Sequence, residues 1–443
     1  SKKIFIKTFG CQMNEYDSNR IYDLVKEGGY SKTEKALEAD CYILNTCHIR
    51  EKATEKVYHQ VGRLKKEFRN KKKPILFITG CLAQAEGELV LKKEKYIDGV
   101  IGPQSYHKIL PAIKNIEKKN NKINLTEFDV IEKFDKLNLI KNNNSKICSF
   151  LTIQEGCDKF CKFCVVPYTR GPEHSRSFDE IIEEAKQLVL NGSREITLLG
   201  QNVNAYNYNS KKLSDLIFKL NSLDGLDRIR YTTSHPKDVT DDLIYAHERC
   251  NKLMPLLHLP VQSGSSKILK EMNRKHNIDD YLKTLEKLKN KKSSIKFSSD
   301  FIIAYPGEDD NEFEKTISLM KKVKFINSYS FLYSSRPGTP AADLNEIDLE
   351  IAKKRLFKFQ KIADQIKIHY RKSLINTEVK VLFENKSKNS HQFFGRDEHA
   401  NAVIVSSKIN LVGKIKKVYV KDCNHNTLFG KLVDEINNKN FAA

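Results

Sequence analysis

The chain has 443 residues, 40% of them hydrophobic, which is enough for roughly two to four domains with cores of their own. Its 77 basic and 56 acidic residues give a net charge of +21, which favours contact with nucleic acid, although the Lys and Asn bias of an AT-rich genome would also produce it. No stretch approaches the ~18 apolar residues of a membrane helix, and the N-terminus lacks an apolar run of signal-peptide length. Ten cysteines in so long a chain exclude a disulfide scaffold and predict metal ligands or catalytic thiols in a cytoplasmic protein.

Residues 1–117 alternate short apolar runs with helical patterns, which predicts an α/β domain with a parallel sheet and right-handed crossovers. Residues 118–147 are rich in Lys and Asn, which predicts a linker with one strand near Asn124–Phe128. The predicted strands of the first domain are Lys3–Thr8, Cys41–Asn45, Pro74–Thr79 and Asp98–Ile101, and its predicted helices are Glu15–Glu27, Glu51–Phe68, Gln84–Lys93 and Tyr106–Ile116.

Residues 148–345 resume the alternation of strands and helices. Six βα units predict a partial barrel of the (β/α)6 kind, incomplete relative to the eight-unit TIM barrel. Ser177 and Glu180 predict a capping box at the start of a helix over Asp179–Asn191. The predicted strands are Phe150–Gln154, Glu195–Leu199, Ile229–Thr233, Leu256–Pro260, Lys296–Ile303 and Tyr329–Tyr333.

The remaining residues change in character. Residues 346–375 carry a charged amphipathic pattern that predicts a connecting helix, Asp348–Leu374. Residues 376–437 contain short β runs separated by Gly and Asn turns, which predicts a small all-β barrel of the OB-like kind. The predicted strands of this barrel are Val379–Phe383, Ala402–Val405, Val412–Val420 and Leu428–Val433.

Three closely spaced cysteines, Cys157, Cys161 and Cys164, form what we call the loop set. Three thiolates can hold three irons of a cubane cluster, and because a [4Fe–4S] cluster normally takes four cysteines, one iron is left open to a ligand that is not protein. The segment between Gly156 and Pro167 is predicted to be a loop, which disfavours core cysteines on one helix face. A zinc site with a distant fourth ligand is the other alternative.

Three further cysteines, Cys11, Cys47 and Cys81, each lie just past the end of a predicted strand and form what we call the strand-end set. Because the carboxyl ends of parallel strands meet at one edge of a sheet, these thiols are expected to converge. The location of all three cysteines at equivalent strand ends favours a second cluster over buried structural cysteines. The rival metal site is zinc, with His48 as the fourth ligand. The cysteines interpreted as structural are Cys41, Cys148, Cys250 and Cys423.

Both cysteine sets and several further segments resemble the radical-SAM methylthiotransferase family, whose members reductively cleave S-adenosylmethionine (SAM). The resemblance covers nearly the whole chain, in the family's order of three-cysteine domain, radical-SAM domain and TRAM barrel. Gln12 and Met13 are similar to the branch acting on dimethylallyladenosine in tRNA, whereas the ribosomal-protein branch usually has Pro-Lys there and the threonylcarbamoyl-adenosine branch Lys-Val. The other similar segments are Leu199–Asn204, Thr233–Pro236, Leu259–Ser265, Pro306–Glu308 and Arg336–Thr339.

The resemblance implies two [4Fe–4S] clusters and SAM as cofactors. The loop set would hold the cluster that binds and cleaves SAM, and the strand-end set an auxiliary cluster that carries the added sulfur. One SAM would be the radical source and a second the methyl donor, for methylthiolation at C2 of N(6)-dimethylallyladenosine next to the anticodon. Arg170 and Arg176 flank the loop set and could bind either the SAM carboxylate or an RNA phosphate. The residues predicted to contact SAM are Phe163, Gln201, Ser234, Gln262 and Arg176.

The implied partners are a tRNA anticodon stem-loop, an electron donor and a sulfur donor, with a monomeric enzyme and no membrane. The C-terminal barrel is the predicted RNA module, since RNA loops are read through stacked bases and phosphate contacts. The alternatives are a methylthiotransferase acting on a ribosomal-protein aspartate or on threonylcarbamoyl-adenosine tRNA, and a non-catalytic iron–sulfur redox sensor, which would need no open iron. The candidate RNA contacts are Phe393, Phe394, Arg396, Lys414, Lys416 and Lys417, and the two Phe residues suit the barrel core equally well.

Overall fold

A computed structural model describes residues 2–47, 51–119, 121–387 and 391–434, with only the backbone described for residues 51–54. The elements of the first unit are β1 (Lys2–Thr8), α1 (Gln12–Glu27), β2 (Tyr30–Lys32), β3 (Cys41–Thr46), α2 (Glu51–Glu67), β4 (Ile75–Gly80), α3 (Cys81–Lys93), β5 (Gly99–Ile101), α4 (Ile109–Lys119), β6 (Ile123–Leu125) and α5 (Val130–Asn138). The strands form one parallel sheet with the order β2-β1-β3-β4-β5-β6. The predicted parallel α/β domain is confirmed.

The central strand β3 is buried along its whole length, because helices cover both faces of the sheet. Ile43 points into a core shared with α1 and α4, whereas its neighbour Leu44 points into a second core shared with α2 and α3. The sheet continues into the segment predicted as a linker, since Leu125 of β6 lies opposite Ile101 of β5. A three-residue strand of partly exposed side chains has too short a pattern to be recognised with certainty in sequence.

The second unit consists of alternating strands and helices. Its elements are β7 (Cys148–Thr152), β8 (Gln154–Glu155), α6 (Val166–Thr169), β9 (His174–Ser175), α7 (Phe178–Leu190), β10 (Glu195–Leu199), β11 (Asn207–Tyr208), β12 (Lys211–Lys212), α8 (Leu213–Asn221), β13 (Arg228–Thr232), α9 (Asp241–Arg249), β14 (Leu256–His258), α10 (Ser266–Glu271), α11 (Ile278–Lys291), β15 (Lys296–Ile303), α12 (Asp310–Val323) and β16 (Asn327–Leu332). Two parallel sheets, β7-β10-β13 and β14-β15-β16, meet through a bridge between Ile229 and Leu253. The predicted partial barrel is confirmed.

The predicted capping box at the start of α7 is wrong. Ser177 occupies the N-cap position, but its side chain makes no hydrogen bond to the first turn. Asp179 and Glu180 lie in that turn, where their charge is favourable at the positive end of the helix dipole.

The third unit is a closed five-stranded barrel that follows a long helix. Its elements are α13 (Leu349–Ser373), β17 (Glu378–Lys386), β18 (Gln392–Arg396), β19 (Ala402–Ser406), β20 (Ile415–Cys423) and β21 (Thr427–Leu432), and the barrel order is β17-β18-β19-β21-β20. Strand β18 was not predicted, because Gly395 near its end weakens the strand pattern; a Cβ there would collide with the Leu382 carbonyl of the neighbouring strand. Within the described ranges, no helix combines the length and apolar composition that crossing a membrane requires.

Two arginines of β13 fasten this barrel to the second unit. Arg228 is buried and donates to the Arg396 carbonyl at 2.8 Å and to the Lys380 carbonyl at 2.9 Å. Arg230 donates to the Asp397 carbonyl at 2.9 Å. Because the guanidinium forks donate to backbone carbonyls of the barrel, the barrel has a defined position on the end of the second unit.

A buried histidine makes the second unit sensitive to acid. His247 is 1% exposed and hydrogen-bonds the Tyr231 hydroxyl at 2.7 Å. Burial, with a smaller contribution from Lys292, lowers the pKa of His247 to about 3. An unfolded histidine binds a proton below about pH 6.5 whereas this folded one does not, so stability is complete above pH 6.5 and is lost as the pH falls toward 3.

We therefore expect the free energy of unfolding to fall by about 2 kcal/mol between pH 7 and pH 5 on account of His247 alone. Urea unfolding of the wild type and of His247→Gln at both pH values measures this contribution. The variant is expected to lose less stability than the wild type over this interval, by about that amount. Equal losses in the two proteins would contradict the prediction.

Candidate metal centre

The loop set lies in irregular backbone between β8 and α6. The Cys157 amide donates to the Gly171 carbonyl at 3.2 Å, which closes the segment into a loop. The closure needs glycine at position 156, because Gly156 has a φ of +76° and a Cβ there would collide with the Pro172 carbonyl. The predicted loop is confirmed, and it begins directly after the first barrel strands.

The thiols of the loop set lie in a shielded and mutually interacting group. Burial raises the pKa of Cys157 to about 11. Burial, followed by the neighbouring Cys161, raises the pKa of Cys164 to about 12. Arg274 is buried and donates from Nη1 to the Cys161 sulfur at 3.4 Å. Metal ligation requires thiolates, so binding of iron here is expected to release protons.

The strand-end set is brought together by the register of the first sheet. Thr8 of β1 lies opposite Asn45 of β3, and Thr46 of β3 lies opposite Gly80 of β4. Cys47 and Cys81 directly follow β3 and β4, and Cys11 lies three residues after the end of β1. The sheet therefore places three cysteines from distant parts of the sequence at one edge, as predicted.

Two glycines permit the close approach of these strand ends. Gly10 has a φ of +113°, and a Cβ there would collide with the Cys47 Cβ. Gly80 has a φ of +91°, and a Cβ there would collide with the Thr46 carbonyl. Burial raises the pKa of Cys11; Arg170 opposes this shift, and the Cys81 thiol adds to it. Cys11 and Cys81 are thus near enough to interact electrostatically.

The arrangement of the cysteines also bears on whether they could be the ligand group of a single metal ion. Among the residues that the structure describes, no three His, Cys, Asp or Glu side chains approach one another as ligands of one metal ion would. The ligands of a cubane cluster bind different irons, and a set of three thiols leaves one iron open. The rival zinc ligand His48 lies outside the described residues. Cys47, Cys81 and Cys161 are buried, Cys157 and Cys164 are half-buried, and Cys11 is exposed, so each set offers three thiols that are partly open to an incoming iron–sulfur cluster.

Two of the predicted SAM contacts lie beside the loop set. Gln201 accepts a hydrogen bond from the Gly156 amide at 2.7 Å, next to Cys157. Phe163 lies within the loop, half-buried, and packs on a small core that contains Met272 and Tyr305. Both residues contribute to the shape of the loop, and their contact with SAM stays a prediction.

Two others, Ser234 and Gln262, lie at the ends of barrel strands in unusual backbone. Thr233, just before Ser234, has a φ of +70°, and Gln262 has a φ of +76°. Ala304 at the end of β15 is also left-handed, with a φ of +60°. Such residues each cost about 1–3 kcal/mol and concentrate at ligand sites. The Ser234 hydroxyl is buried without a hydrogen-bond partner, which is suited to a ligand contact.

The fifth predicted contact, Arg176, lies at the boundary between the first and second units. Its guanidinium is buried and donates to the Thr152 carbonyl at 2.6 Å and to Glu184 Oε2 at 2.8 Å. It also donates to Asn138 Oδ1 at 3.1 Å and lies over the Phe134 ring. The structure thus gives Arg176 a role in joining the two units, and its contact with SAM stays untested.

Sequence reasoning overlooked a group of side chains next to Cys161. Besides Arg274, it contains His235 and His276, whose rings meet edge-on at 5.8 Å. Burial, then Arg274, lowers the pKa of both histidines, that of His276 to about 4, so both are neutral near pH 7. Each has a buried Nε2 without a hydrogen-bond partner. The only sequence signal was the position of His235 within Thr233–Pro236; nothing local marks Arg274 or His276.

Three protein-family models match the chain in the order of its structural units. They are the uncharacterized protein family UPF0004 over residues 3–102, the radical SAM superfamily over residues 151–320 and the TRAM domain over residues 372–433. The first two matches each contain one cysteine set.

The chain is 60% identical to a tRNA-2-methylthio-N(6)-dimethylallyladenosine synthase of Pelagibacter ubique, over 99% of both chains. The chain belongs to the family of these synthases. Within this synthase family it is 45% identical to the enzyme of a Ruegeria species and 46% identical to that of Bartonella henselae, over 98% of this chain in both cases and 99% and 97% of the relatives.

Solved structures show the same fold at low identity. The radical SAM methyltransferase TsrM of Kitasatospora setae superimposes with a TM-score of 0.57 and 11% identity, covering 80% of this synthase-family chain and 76% of TsrM. At that identity the likeness shows the fold alone, and it agrees with the partial barrel described above.

Proposed function

We propose that this protein adds a methylthio group to C2 of N(6)-dimethylallyladenosine next to the anticodon of tRNA, with one SAM as radical source and a second as methyl donor. The observation that carries the proposal is the 60% identity to the Pelagibacter synthase over 99% of both chains. The matches to a radical-SAM and a TRAM model support it. We place the enzyme in the cytoplasm, where tRNA is found and thiols stay reduced.

We propose that the loop set holds the SAM-binding [4Fe–4S] cluster and the strand-end set a second, auxiliary cluster. When bound, the clusters would supply one-electron chemistry for SAM cleavage and sulfur for the transfer. The chain itself presents six thiols from irregular backbone and from strand ends, and buries three of them, Cys47, Cys81 and Cys161. Arg274 holds Cys161 by a hydrogen bond, which orients one ligand of the SAM-binding cluster.

The proposed SAM contacts are the residues that surround the loop set. Gln201 and Phe163 adjoin the cysteine loop itself. Ser234 and Gln262 lie at barrel strand ends, the side on which such barrels bind ligands. The buried, unpartnered Ser234 hydroxyl supports its inclusion most directly.

The C-terminal barrel is the proposed RNA module. On its surface the Arg396 guanidinium lies over the half-buried Phe394 ring, 5.1 Å from the ring centre, as in pairs that stack on bases. Phe393, by contrast, is buried in the barrel core and is not an RNA contact. The remaining proposed contacts are the lysines Lys414, Lys416 and Lys417 of the same barrel. The other proposed partners are an electron donor and a sulfur donor, with the enzyme acting as a monomer.

The test is methylthiolation by the reconstituted full-length protein. The protein is loaded anaerobically with iron and sulfide and incubated with SAM, dithionite, sulfide and prenylated tRNA that lacks the methylthio group. Mass spectrometry of the digested nucleosides is expected to show a methylthio adduct on the prenyl-adenosine, together with deoxyadenosine from SAM.

Matched substrates separate the alternatives. The same tRNA without the prenyl group, tRNA with threonylcarbamoyl-adenosine, and a ribosomal-protein aspartate substrate are incubated in parallel. Product on one of these alone would replace the proposed substrate by that one. Absence of both product and deoxyadenosine from a protein loaded with clusters would favour a non-catalytic iron–sulfur protein.

A further inference from the structure

We propose that Arg170 is a positioning residue for the strand-end set: a cation supplied by the second unit that lies against the first unit's cysteines and raises the reduction potential of the cluster held there. The inference rests on the proposed function, since it takes a cluster at Cys11, Cys47 and Cys81 as given. It adds a cross-domain electrostatic role to a residue that sequence reasoning assigned only to SAM or RNA.

The position of Arg170 in the chain makes this role unexpected. It follows α6 directly and precedes Gly171, the residue that closes the cysteine loop on Cys157. Its side chain nevertheless reaches α1 of the first unit, where Nη2 lies 3.3 Å from Asn14 Oδ1 and 3.3 Å from Asp17 Oδ2. One loop therefore carries the loop set and also touches the surroundings of the strand-end set.

Asn14 connects the guanidinium to the strand-end set. The same oxygen that accepts from Arg170 lies 3.9 Å from the Cys11 sulfur. The amide nitrogen of Asn14 donates to the Phe9 carbonyl at 2.8 Å, which fixes the side chain beside Gly10. Asn14 is itself completely buried, so the connection is shielded from water.

The Arg170 guanidinium has N–H groups that do not form hydrogen bonds within the described part of the protein. Arg170 is 3% exposed, and its Nε and Nη1 have no hydrogen-bond partner. Nη1 lies 3.5 Å from Glu155 Oε2, an ion pair without hydrogen-bond geometry. Unpaired N–H groups on a buried cation lower the stability of the folded protein unless a negatively charged group lies beside them. The cysteines of the strand-end set, as thiolates on iron, are the neighbouring groups that would supply it.

The electrostatics agree with that placement. Burial opposes the charge and on its own would lower the pKa of Arg170. Cys81, then Asp17, Glu155 and Cys11, outweigh burial and raise the pKa of Arg170 well above its ordinary value. The influence of Cys81 and Cys11 on this pKa indicates that both side chains lie near the guanidinium.

A buried network of four charges holds Arg170 in place. Lys133 of α5 pairs closely with Glu155 and lies 3.7 Å from Asp17. Asp17 and Glu155 both face Arg170 as well, and all four side chains are almost wholly buried. Two cations balance two carboxylates, so removing one member leaves an uncompensated charge near the cysteines.

The direction in which each substitution shifts the reduction potential follows from the charge of the side chain that is removed. Reduction adds a negative charge to a cluster, so a nearby cation stabilises the reduced form and raises the potential, whereas a carboxylate lowers it. Loss of Arg170 should therefore shift the potential to more negative values. Loss of the Asp17 charge should shift it to more positive values.

Arg20 provides a matched control for damage to a buried interface. It lies on the same helix as Asp17, is 2% exposed, and donates to the Leu137 and Ile140 carbonyls at 2.7 Å. None of the groups that act most strongly on its pKa is a cysteine. Its replacement should lower stability without moving the cluster potential.

The experiment isolates the auxiliary cluster in the full-length chain. Cys157, Cys161 and Cys164 are replaced by Ala, the protein is reconstituted with iron and sulfide, and the midpoint potential is read from the EPR signal during a dithionite titration. The variants added to this background are Arg170→Gln, Arg170→Lys, Asp17→Asn and Arg20→Gln. Iron content and circular dichroism are recorded for each.

We expect a negative shift for Arg170→Gln, a positive shift for Asp17→Asn, and potentials close to the parent's for Arg170→Lys and Arg20→Gln. Potential shifts of the same sign for Arg170→Gln and Asp17→Asn, or an unchanged potential in both, would overturn the inference about Arg170. Either result would leave the proposed function intact. If Arg170→Gln fails to take up a cluster, Asp17→Asn decides by its sign. A triple-alanine parent that binds no cluster would overturn the strand-end cluster of the proposed function as well.

Discussion

Replacement of Cys161 by alanine is expected to abolish both deoxyadenosine formation and methylthiolation. Cys161 is buried in the cysteine loop, and Arg274 donates to its sulfur. Two ligands cannot hold the cluster on which SAM cleavage depends, so the loss should be complete rather than partial. Iron bound after reconstitution should fall by about half, because the strand-end set is unchanged.

The measurement is deoxyadenosine by liquid chromatography, with iron and sulfide assayed on the same sample. Cys423→Ala is the matched control, since Cys423 is half-buried in the C-terminal barrel, a unit that contains neither cysteine set. It should retain iron content and both products. Deoxyadenosine production by Cys161→Ala at the wild-type rate would remove Cys161 from the proposed ligands.

Replacement of Cys47 by alanine is expected to separate the two halves of the reaction. Cys47 follows β3 and lies against Gly10, in the strand-end set. The loop set lies in another unit and should keep its cluster, so SAM is still cleaved to deoxyadenosine. The methylthio product should be lost completely, because the cluster proposed to supply the sulfur would have lost a ligand.

Nucleoside mass spectrometry and deoxyadenosine quantification on one reaction measure this separation. Thermal melting of the variant is compared with that of the wild type to show that the first unit still folds. A folded Cys47→Ala protein that still forms the methylthio product would refute the role of the strand-end set. Loss of deoxyadenosine as well would show that the two cysteine sets depend on each other.

Much of the architecture could be predicted from local patterns. The apolar runs of β1, β3 and β4 are buried in a parallel sheet, and such runs are recognisable without knowledge of their neighbours. Because the ends of parallel strands meet at one edge, the convergence of Cys11, Cys47 and Cys81 could also be expected. The short strands β6 and β18 were missed or misplaced, since three to five residues interrupted by Gly or partly exposed give too little pattern.

The three-unit order, the parallel sheets and the two cysteine sets could be recognised in the sequence, because they depend on periodicity and on residues adjacent in the chain. The charged groups that surround the cysteines became apparent only in the folded protein. Arg170 reaches the first unit, Arg176 joins the two units, and Arg274 binds Cys161. Each of these contacts depends on how α1 and the barrel loops pack against distant segments. A burial environment of that kind is set by long-range packing, and it leaves no local pattern in the sequence.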